Sequence, residues 1–327
     1  MAKIDPKLAR DALRKFGHAG LLSKFRNCSD IKTFTKALSE IHSFDPEMAN
    51  DILDGFDGDS LGVRLKATGV EGLGRSLREI AVVSRGTANR IAAKLNLQSV
   101  LGDLKHVSLI QIGHSLTEIS KVDSFLARKL YAELPILMLV RMARESRVEF
   151  QQVCNIVSQL AVVEGTPGRG RTRALIKEIG TDYFARSAQS VRFAELCAGL
   201  YDLFKCDQDF GRDVLNGMRF RVLEAKARRE QFEKLCPALH KLTLIDKSTA
   251  CTLFDRLKGE ELGGRASNLR LDKLAECLHN LADINPDYAR DIALRLGFDV
   301  LRVRLNQLAP KARPQALGKL RKVLPEL

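Results

Sequence analysis

A period of 39 residues runs through this chain of 327 residues and restricts its fold more than any other feature. Leucines mark the period, and an isoleucine or leucine follows each of them three residues later. These leucines are Leu38, Leu77, Leu116, Leu200, Leu239, Leu278 and Leu317. A fixed period of this size is typical of helical units that stack on their neighbours, and not of a single globular core.

The period predicts an all-α fold, namely a right-handed α-solenoid (a superhelix) of about seven to eight 39-residue helical repeats. We expect a single helical-repeat domain over residues 1–327. Its predicted repeats are 1–30 (a half repeat), 31–69, 70–108, 109–147, 148–192 (with an insertion at 164–173), 193–231, 232–270, 271–309 and 310–327 (a half repeat).

Apolar spacing and capping residues predict two helices, A and B, in each repeat. Helix A carries apolar residues at i, i+3, i+7 and i+10, as in Ile31, Phe34, Leu38 and Ile41. Helix B begins after a residue whose side-chain oxygen accepts from free N–H groups of the first turn. These predicted N-caps are Asp45, Ser84, Asp123, Asp207, Asp246 and Asn285. A small residue four positions after each cap indicates a close helix contact: Ala49, Ala88, Ala127, Gly211, Ala250 and Ala289.

A third segment of each repeat carries paired apolar residues, such as Leu61 with Leu65 and Leu262 with Ala266. It forms either a separate short helix, as in armadillo-type repeats, or the start of the next helix A, as in HEAT-like or tetratricopeptide-like hairpins. The unbroken pattern over 220–242 favours the second interpretation. Periodicity alone leaves both open.

Cysteine usage and hydropathy predict a cytoplasmic protein. The seven cysteines form no CxxC pair, and Cys197 and Cys236 occupy one repeat position, which Ala275 fills next. This pattern indicates small core residues in a reducing compartment rather than a disulfide framework. The N-terminal sequence MAKIDPKLAR has no apolar signal core, and the longest apolar run, 134–140, is too short to span a bilayer. We therefore expect no membrane span.

The formal net charge of +13 favours an anionic partner: nucleic acid, an acidic protein surface or anionic lipid. Basic residues collect in two columns of the third segment, and equivalent positions of stacked repeats lie side by side. The columns predict a basic ladder that binds a phosphate backbone or an extended acidic segment. Its residues are Lys24, Arg26, Arg64, Lys66, Lys105, Arg144, Lys226, Arg228, Arg265 and Arg304. The alternative is a solvated face whose long side chains cover the core.

One repeat carries six extra residues, which fall near the sequence EGTPGRGRTR at 164–173. Its glycines and Pro167 disfavour a helix, and Arg169, Arg171 and Arg173 add positive charge. Insertions in repeat proteins fall on loops of one face, often the binding face. We expect either a basic loop that contacts phosphates or a tolerated surface insertion.

No set of catalytic or metal-ligating residues stands out from the repeat. Tyr201, His240 and His279 share one column of helix A, where their rings either stack on bases or line a helix interface. Neither histidine has a cysteine or carboxylate at metal-ligand spacing. We therefore expect no catalytic residue, no metal and no cofactor, in a protein that is not an enzyme.

The pattern resembles the α-solenoid class over nearly the whole chain, and octotricopeptide-like repeats are of similar length. Residues 271–296, LDKLAECLHNLADINPDYARDIALRL, resemble the helical hairpin of such repeats. That resemblance implies RNA binding, although the chain lacks the Trp that those repeats favour, so no base-reading code is transferred. HEAT-like and armadillo-like repeats, which bind proteins or nucleic acids, fit equally well.

The leading hypothesis is a non-enzymatic binding scaffold whose basic face binds nucleic acid, single-stranded or RNA, or another anionic partner. The alternative is a protein–protein interaction or adaptor solenoid within a larger assembly. The repeat pattern starts at a helix B and ends before another, without a polar capping repeat. Head-to-tail self-association is therefore a further hypothesis.

Overall fold

The structure is a computed structural model that describes residues 6–28, 30–95, 107–145, 149–165, 170–257 and 259–324. The described residues form 23 α-helices and no β-strand. The contacts divide the chain into two compact units, which are treated separately below. Unit 1 comprises 1–146 with 159–167, and unit 2 comprises 147–158 with 168–327, so the boundary crosses helix α11 (Phe150–Glu164).

Unit 1 contains ten helices among its described residues, in addition to the second half of α11. They are α1 (Pro6–Phe16), α2 (His18–Arg26), α3 (Ile31–Phe44), α4 (Pro46–Asp54), α5 (Gly58–Lys66), α6 (Gly69–Val83), α7 (Arg85–Lys94), α8 (Leu109–Val122), α9 (Ser124–Glu133) and α10 (Ile136–Glu145).

Unit 2 contains the first half of α11 and twelve further helices within the described ranges. They are α12 (Arg171–Ile179), α13 (Thr181–Ser187), α14 (Phe193–Cys206), α15 (Gln208–Asn216), α16 (Phe220–Arg229), α17 (Phe232–Ile245), α18 (Lys247–Arg256), α19 (Gly259–Ser267), α20 (Leu271–Ile284), α21 (Pro286–Leu296), α22 (Phe298–Gln307) and α23 (Arg313–Val323).

The predicted A helices pack on one another in sequence order within each unit. In unit 1, α3 contacts α6 and α6 contacts α8. In unit 2, α14 contacts α17, α17 contacts α20, and α20 contacts α23; these four helices are called row A below. The periodic leucines up to Leu278 are buried between them, whereas Leu317 of α23 is half-buried. In the next repeat the apolar stripe of helix A is predicted to begin at Val70, 39 residues after Ile31, and this side chain lies outside the described part of the chain.

All six predicted N-caps of helix B are confirmed. Asp45, Ser84, Asp123, Asp207, Asp246 and Asn285 each accept a hydrogen bond from a first-turn backbone N–H of the next helix. In α18, for example, the N–H of Ser248 donates to Asp246 Oδ1 at 2.9 Å. Short polar side chains therefore end each helix A and start each helix B at fixed points.

The small residues after the caps lie at closely packed helix contacts. The alanines of this column, including Ala88 of α7, are fully buried, and Gly211 of α15 is buried too. A Cβ atom on Gly211 would lie 2.7 Å from Phe204 Cα and 2.9 Å from Phe204 N, in α14. The prediction that this column permits close helix approach is confirmed at Gly211.

The third segment is a separate helix, called helix C below, wherever the structure describes it after an A and a B helix. The helices concerned are α5, α10, α13, α16, α19 and α22. The predicted continuity over 220–242 is wrong, because α16 ends at Arg229 and α17 begins at Phe232. Glu230 lies at this break and is buried, and its carboxylate accepts from the Ala194 N–H at 3.0 Å. Because the partner of Glu230 is distant in sequence, local periodicity does not reveal the break.

The seven cysteines are free thiols, as the cysteine pattern predicts. Cys197 and Cys236 are fully buried, and so is Ala275 in the same column. Burial raises the pKa of the Cys197 thiol, with a nearby carboxylate acting in the same direction and Lys241 opposing it. These thiols are therefore neutral core groups.

Candidate nucleic-acid interface

One column of the predicted ladder links successive C helices in unit 2. Lys226 Nζ donates to the carbonyl of Gln189 at 2.8 Å and also to that of Val191. Arg304 Nη2 donates to the carbonyl of Ser267 at 2.7 Å, and Arg265 Nη2 donates to that of Arg228. The first carbonyl in each case lies 37 residues earlier, at or just beyond the end of the preceding helix C. These cations therefore satisfy carbonyls that a helix end leaves free.

The second ladder column reaches forward to the end of the next helix B. Arg26 Nη2 donates to the carbonyl of Gly55 at 3.1 Å, and Arg228 Nη2 donates to that of Arg256 at 2.7 Å. Arg228 also pairs with Glu224 at 2.8 Å, and its pairing with Glu261 is longer, at 3.7 Å. Much of its charge is thus compensated within unit 2.

The remaining ladder residues differ in exposure. Lys24 and Arg144 are exposed, and Arg64 and Lys66 are half-buried on α5. Lys105 lies outside the described residues. Some ladder side chains thus donate to backbone carbonyls within their own unit, whereas others remain candidates for ligand contact.

The end of the predicted basic loop belongs to a helix. Arg169 lies outside the described residues, whereas α12 begins at Arg171 and includes Arg173. The prediction of a loop is therefore wrong for these two arginines. Arg173 pairs with the buried cap Asp207. Burial by itself raises the pKa of Asp207, but hydrogen bonds from Arg173 and from the Phe210 N–H, with the charge of Arg173, bring it below its ordinary value.

A basic segment near the C-terminal end of unit 2 lies mostly outside the ladder columns, so the columns do not reveal it. Residues 301–324, called the C-terminal basic run below, contain seven basic and no acidic residues. Its arginines 304 and 313 donate to backbone carbonyls. The other five form no ion pair with the described residues, and Lys311 lies between α22 and α23. Four lie on these two helices, and all are exposed except the half-buried Lys319: Arg302, Lys319, Arg321 and Lys322. A count of acidic residues in a sliding window would have found this segment.

A groove of about 450 Å³ crosses the first half of α11, α14 and α17 in unit 2. The helix α11 contributes Gln151, Gln152 and Asn155. The remaining lining residues are Ala198, Tyr201, Asp202 and Lys205 of α14 and Lys241 of α17. Among the described residues, the three carboxamide side chains have no hydrogen-bond partner. The groove therefore offers unfilled donors and acceptors.

An ion pair between Lys205 and Asp202 lies beside the ring of Tyr201. Lys205 Nζ lies 5.1 Å from the ring centroid and pairs with Asp202 at 2.8 Å. Of the histidines in the same column, His240 has Nδ1 4.0 Å from an Asp283 carboxylate oxygen, and His279 is half-buried. The structure thus brings Tyr201 into the groove, whereas neither histidine lines it.

Two other kinds of site are absent from the described ranges. No group of three or more His, Cys, Asp or Glu side chains is placed to hold a metal ion. None of the helices there has both the length and the apolar character needed to cross a bilayer.

Comparison of the chain with protein-family models, with curated proteins and with solved structures yields no match in any of the three.

Proposed function

We propose that the chain is a non-enzymatic binding scaffold that binds single-stranded nucleic acid through the C-terminal basic run. The observation that carries this proposal is the concentration of seven basic residues without a carboxylate over 301–324. Cations that are free of local carboxylates gain most from binding phosphates, because each phosphate contact releases a condensed counterion. We place this scaffold in the cytoplasm, where free thiols are stable.

We further propose that the scaffold is an α-solenoid of about seven to eight repeats, as the 39-residue period predicts. The ordered contacts α3–α6–α8 and α14–α17–α20–α23 support it within each unit. The cationic links between successive C helices support it too, because the same offset of 37 residues recurs. A repeating set of neighbour contacts is the stabilising principle of such arrays.

The proposal assigns different roles to two groups of cations in unit 2. Lys226, Arg265 and Arg304 stabilise helix ends, so their reversal would damage the fold. Arg302, Lys319, Arg321 and Lys322 form neither carbonyl hydrogen bonds nor ion pairs with the described residues and are the proposed phosphate contacts. This distinction decides which variants test binding.

The test is fluorescence anisotropy with a labelled single-stranded RNA at low salt. The binding variant replaces Arg302, Lys319, Arg321 and Lys322 with Glu. A matched control replaces four exposed basic residues elsewhere in unit 2, Arg219, Arg221, Lys234 and Lys247, with Glu, and so gives the same net charge. We expect the first variant to lose binding and the control to retain most of it. Equal weakening in both variants would show a diffuse charge effect and contradict the proposed surface.

A second candidate function, protein binding, is favoured by apolar exposure in unit 1. Phe125 of α9 is 74% exposed and Leu137 of α10 is 73% exposed. Exposed apolar side chains of this size mark interaction surfaces when they lie together. A Phe125→Ser and Leu137→Ser variant that loses a salt-resistant protein partner but retains RNA binding would support this candidate as a separate activity.

A further inference from the structure

The groove across α11, α14 and α17 combines the three kinds of side chain that recognise an unpaired nucleotide. Tyr201 provides an aromatic ring, Lys241 a cation, and α11 three carboxamides. We propose that this groove holds one unstacked base of a single-stranded nucleic acid, stacked on Tyr201 and hydrogen-bonded by Gln151, Gln152 and Asn155. This inference rests on the proposed nucleic-acid function, and it identifies the groove as the site that makes the protein selective for single strands.

The arrangement of the carboxamides follows from helix geometry. Gln151 and Asn155 are four residues apart on α11, so they are neighbours on one helix face, and Gln152 adjoins them. Gln151 is half-buried, and Gln152 and Asn155 are exposed. All three are therefore accessible to a ligand while one is held against the protein.

Carboxamides suit base edges better than charged groups do. Each carries donors and an acceptor in one plane, and base edges also present donors and acceptors side by side. Single-stranded nucleic acids are recognised by hydrogen bonds to the base edges that pairing would hide, together with stacking on aromatic rings. In a duplex the bases are stacked and paired, so the groove should discriminate against it.

Tyr201 is placed for stacking because a cation already occupies a face of its ring. Lys205 Nζ lies 5.1 Å from the ring centroid, so this face is reachable from the surface. Lys205 is a long, flexible side chain that a base can displace. In the groove as described, Asp202 pairs with Lys205 at 2.8 Å, so its negative charge is compensated before a ligand binds.

The groove also has a suitable size and a cation for the phosphate. Its volume of about 450 Å³ falls within the range of about 300–1,000 Å³ that is usual for small-ligand sites. Lys241 lines it from α17 and forms no ion pair with the described residues. The helices α14 and α17 belong to row A, whose last member, α23, carries part of the C-terminal basic run.

The experiment measures anisotropy of labelled 12-nucleotide RNAs of A, C or U, and of a duplex, at several salt concentrations. We expect Tyr201→Ala to weaken single-strand binding by about 5- to 150-fold, the usual effect of removing one stacking ring. Tyr201→Phe should retain binding, because the ring is kept. The salt dependence should not change in either variant, since no phosphate contact is removed.

A triple variant tests the hydrogen bonds separately. Replacing Gln151, Gln152 and Asn155 with Ala should reduce the differences in affinity among the three RNAs. The matched control replaces three exposed carboxamides outside the groove, Gln208, Asn216 and Asn268, with Ala, and should leave those differences unchanged. Circular dichroism melting of each variant verifies that the fold is retained.

The outcomes separate this inference from the proposed function. If Tyr201→Ala binds every RNA like the wild type while the basic-run variant loses binding, the groove proposal is overturned and the function stands. If the groove variants weaken binding and the basic-run variant does not, the groove stands alone. Absence of single-strand binding by the wild type overturns both. If Tyr201→Ala leaves RNA binding unchanged but abolishes the binding of an uncharged extended peptide, the groove binds a protein ligand and not a base.

Discussion

Gly211 permits the close approach of α15 to α14, and a single methyl group tests that contact. A Cβ atom there would meet backbone atoms of Phe204, which cannot move aside as a side-chain end can. We expect Gly211→Ala to lower the free energy of unfolding by about 1–3 kcal/mol through overpacking. Chemical denaturation followed by circular dichroism measures the change.

The control for this substitution is Gly264→Ala in α19, where an added Cβ would meet no atom within 4 Å. In open space the alanine should raise the free energy of unfolding by about 0.4–1 kcal/mol, because it restricts the unfolded chain. If both substitutions have the same sign, helix propensity and not close packing governs Gly211.

The ion pair between Arg173 and Asp207 predicts a pH-dependent contribution to stability. Because the folded pKa of Asp207 lies below its ordinary value of 3.8, the contribution is present above that pH and is lost as the pH falls through the folded pKa. We expect Asp207→Asn, which keeps a capping side chain, to lower the free energy of unfolding by about 1–2 kcal/mol at pH 7. The deficit should shrink below about pH 4.

The matched control is Asp246→Asn, at an N-cap that forms no ion pair with the described residues. Denaturation curves of this variant measure the cost of replacing a cap carboxylate with an amide where no ion pair is formed. A deficit of Asp207→Asn that persists unchanged at pH 3 would remove the ion pair from the account.

Local residue roles could be predicted where a short-range rule applies. Asp246 and Asn285 were identified as caps because an N-cap depends only on the residues of its own first turn. The role of Arg265 was not predictable, since its carbonyl partners at Arg228 and Glu230 lie 37 and 35 residues away. A repeat column shows that a position recurs but not what its side chain contacts.

At the scale of the helices, three ladder cations in unit 2 link neighbouring C helices. Arg265 donates to the carbonyls of Arg228 and Glu230 and pairs with Glu261. We expect Arg265→Ala to lower the free energy of unfolding by about 1–2 kcal/mol, because carbonyls at the end of α16 lose their donors. Urea denaturation measures this loss.

Arg221→Ala provides the comparison, because Arg221 is exposed on α16 and has no partner among the described residues. Its effect should stay within about 0.5 kcal/mol, as is usual for such surface positions. If Arg265→Ala is equally harmless, the ladder is a solvated face or a ligand surface and not a helix-end contact.

Helices A and B could be predicted from apolar spacing and caps, whereas helix C could not be separated from the next helix A. The apolar pattern continues from α16 into α17, and only the buried Glu230 marks the break. The groove was also only partly predictable. The repeat column predicts a ring at Tyr201. Gln151, Gln152 and Asn155 belong to α11, however, and only the packing of α11 on α14 brings them beside that ring.

At the scale of the whole molecule, stability should be a sum of neighbour contacts if the chain is a solenoid. We expect Gly211→Ala to speed amide hydrogen exchange in α14 to α17 while leaving that in α3 to α8 unchanged. Exchange followed by mass spectrometry of peptides resolves these segments. An equal acceleration along the chain would mean one cooperative unit and contradict the proposed array.

The central claim, that the C-terminal basic run binds nucleic acid phosphates, is tested most directly by the salt dependence of RNA affinity. Anisotropy titrations over a range of salt concentrations give the slope of log K against log salt for the wild type, the basic-run variant and the matched-charge control. We expect the slope of the basic-run variant to be shallower by about 3, since four phosphate contacts at about 0.7 each are lost, and the control slope to match the wild type. Identical slopes for all three proteins would contradict the claim.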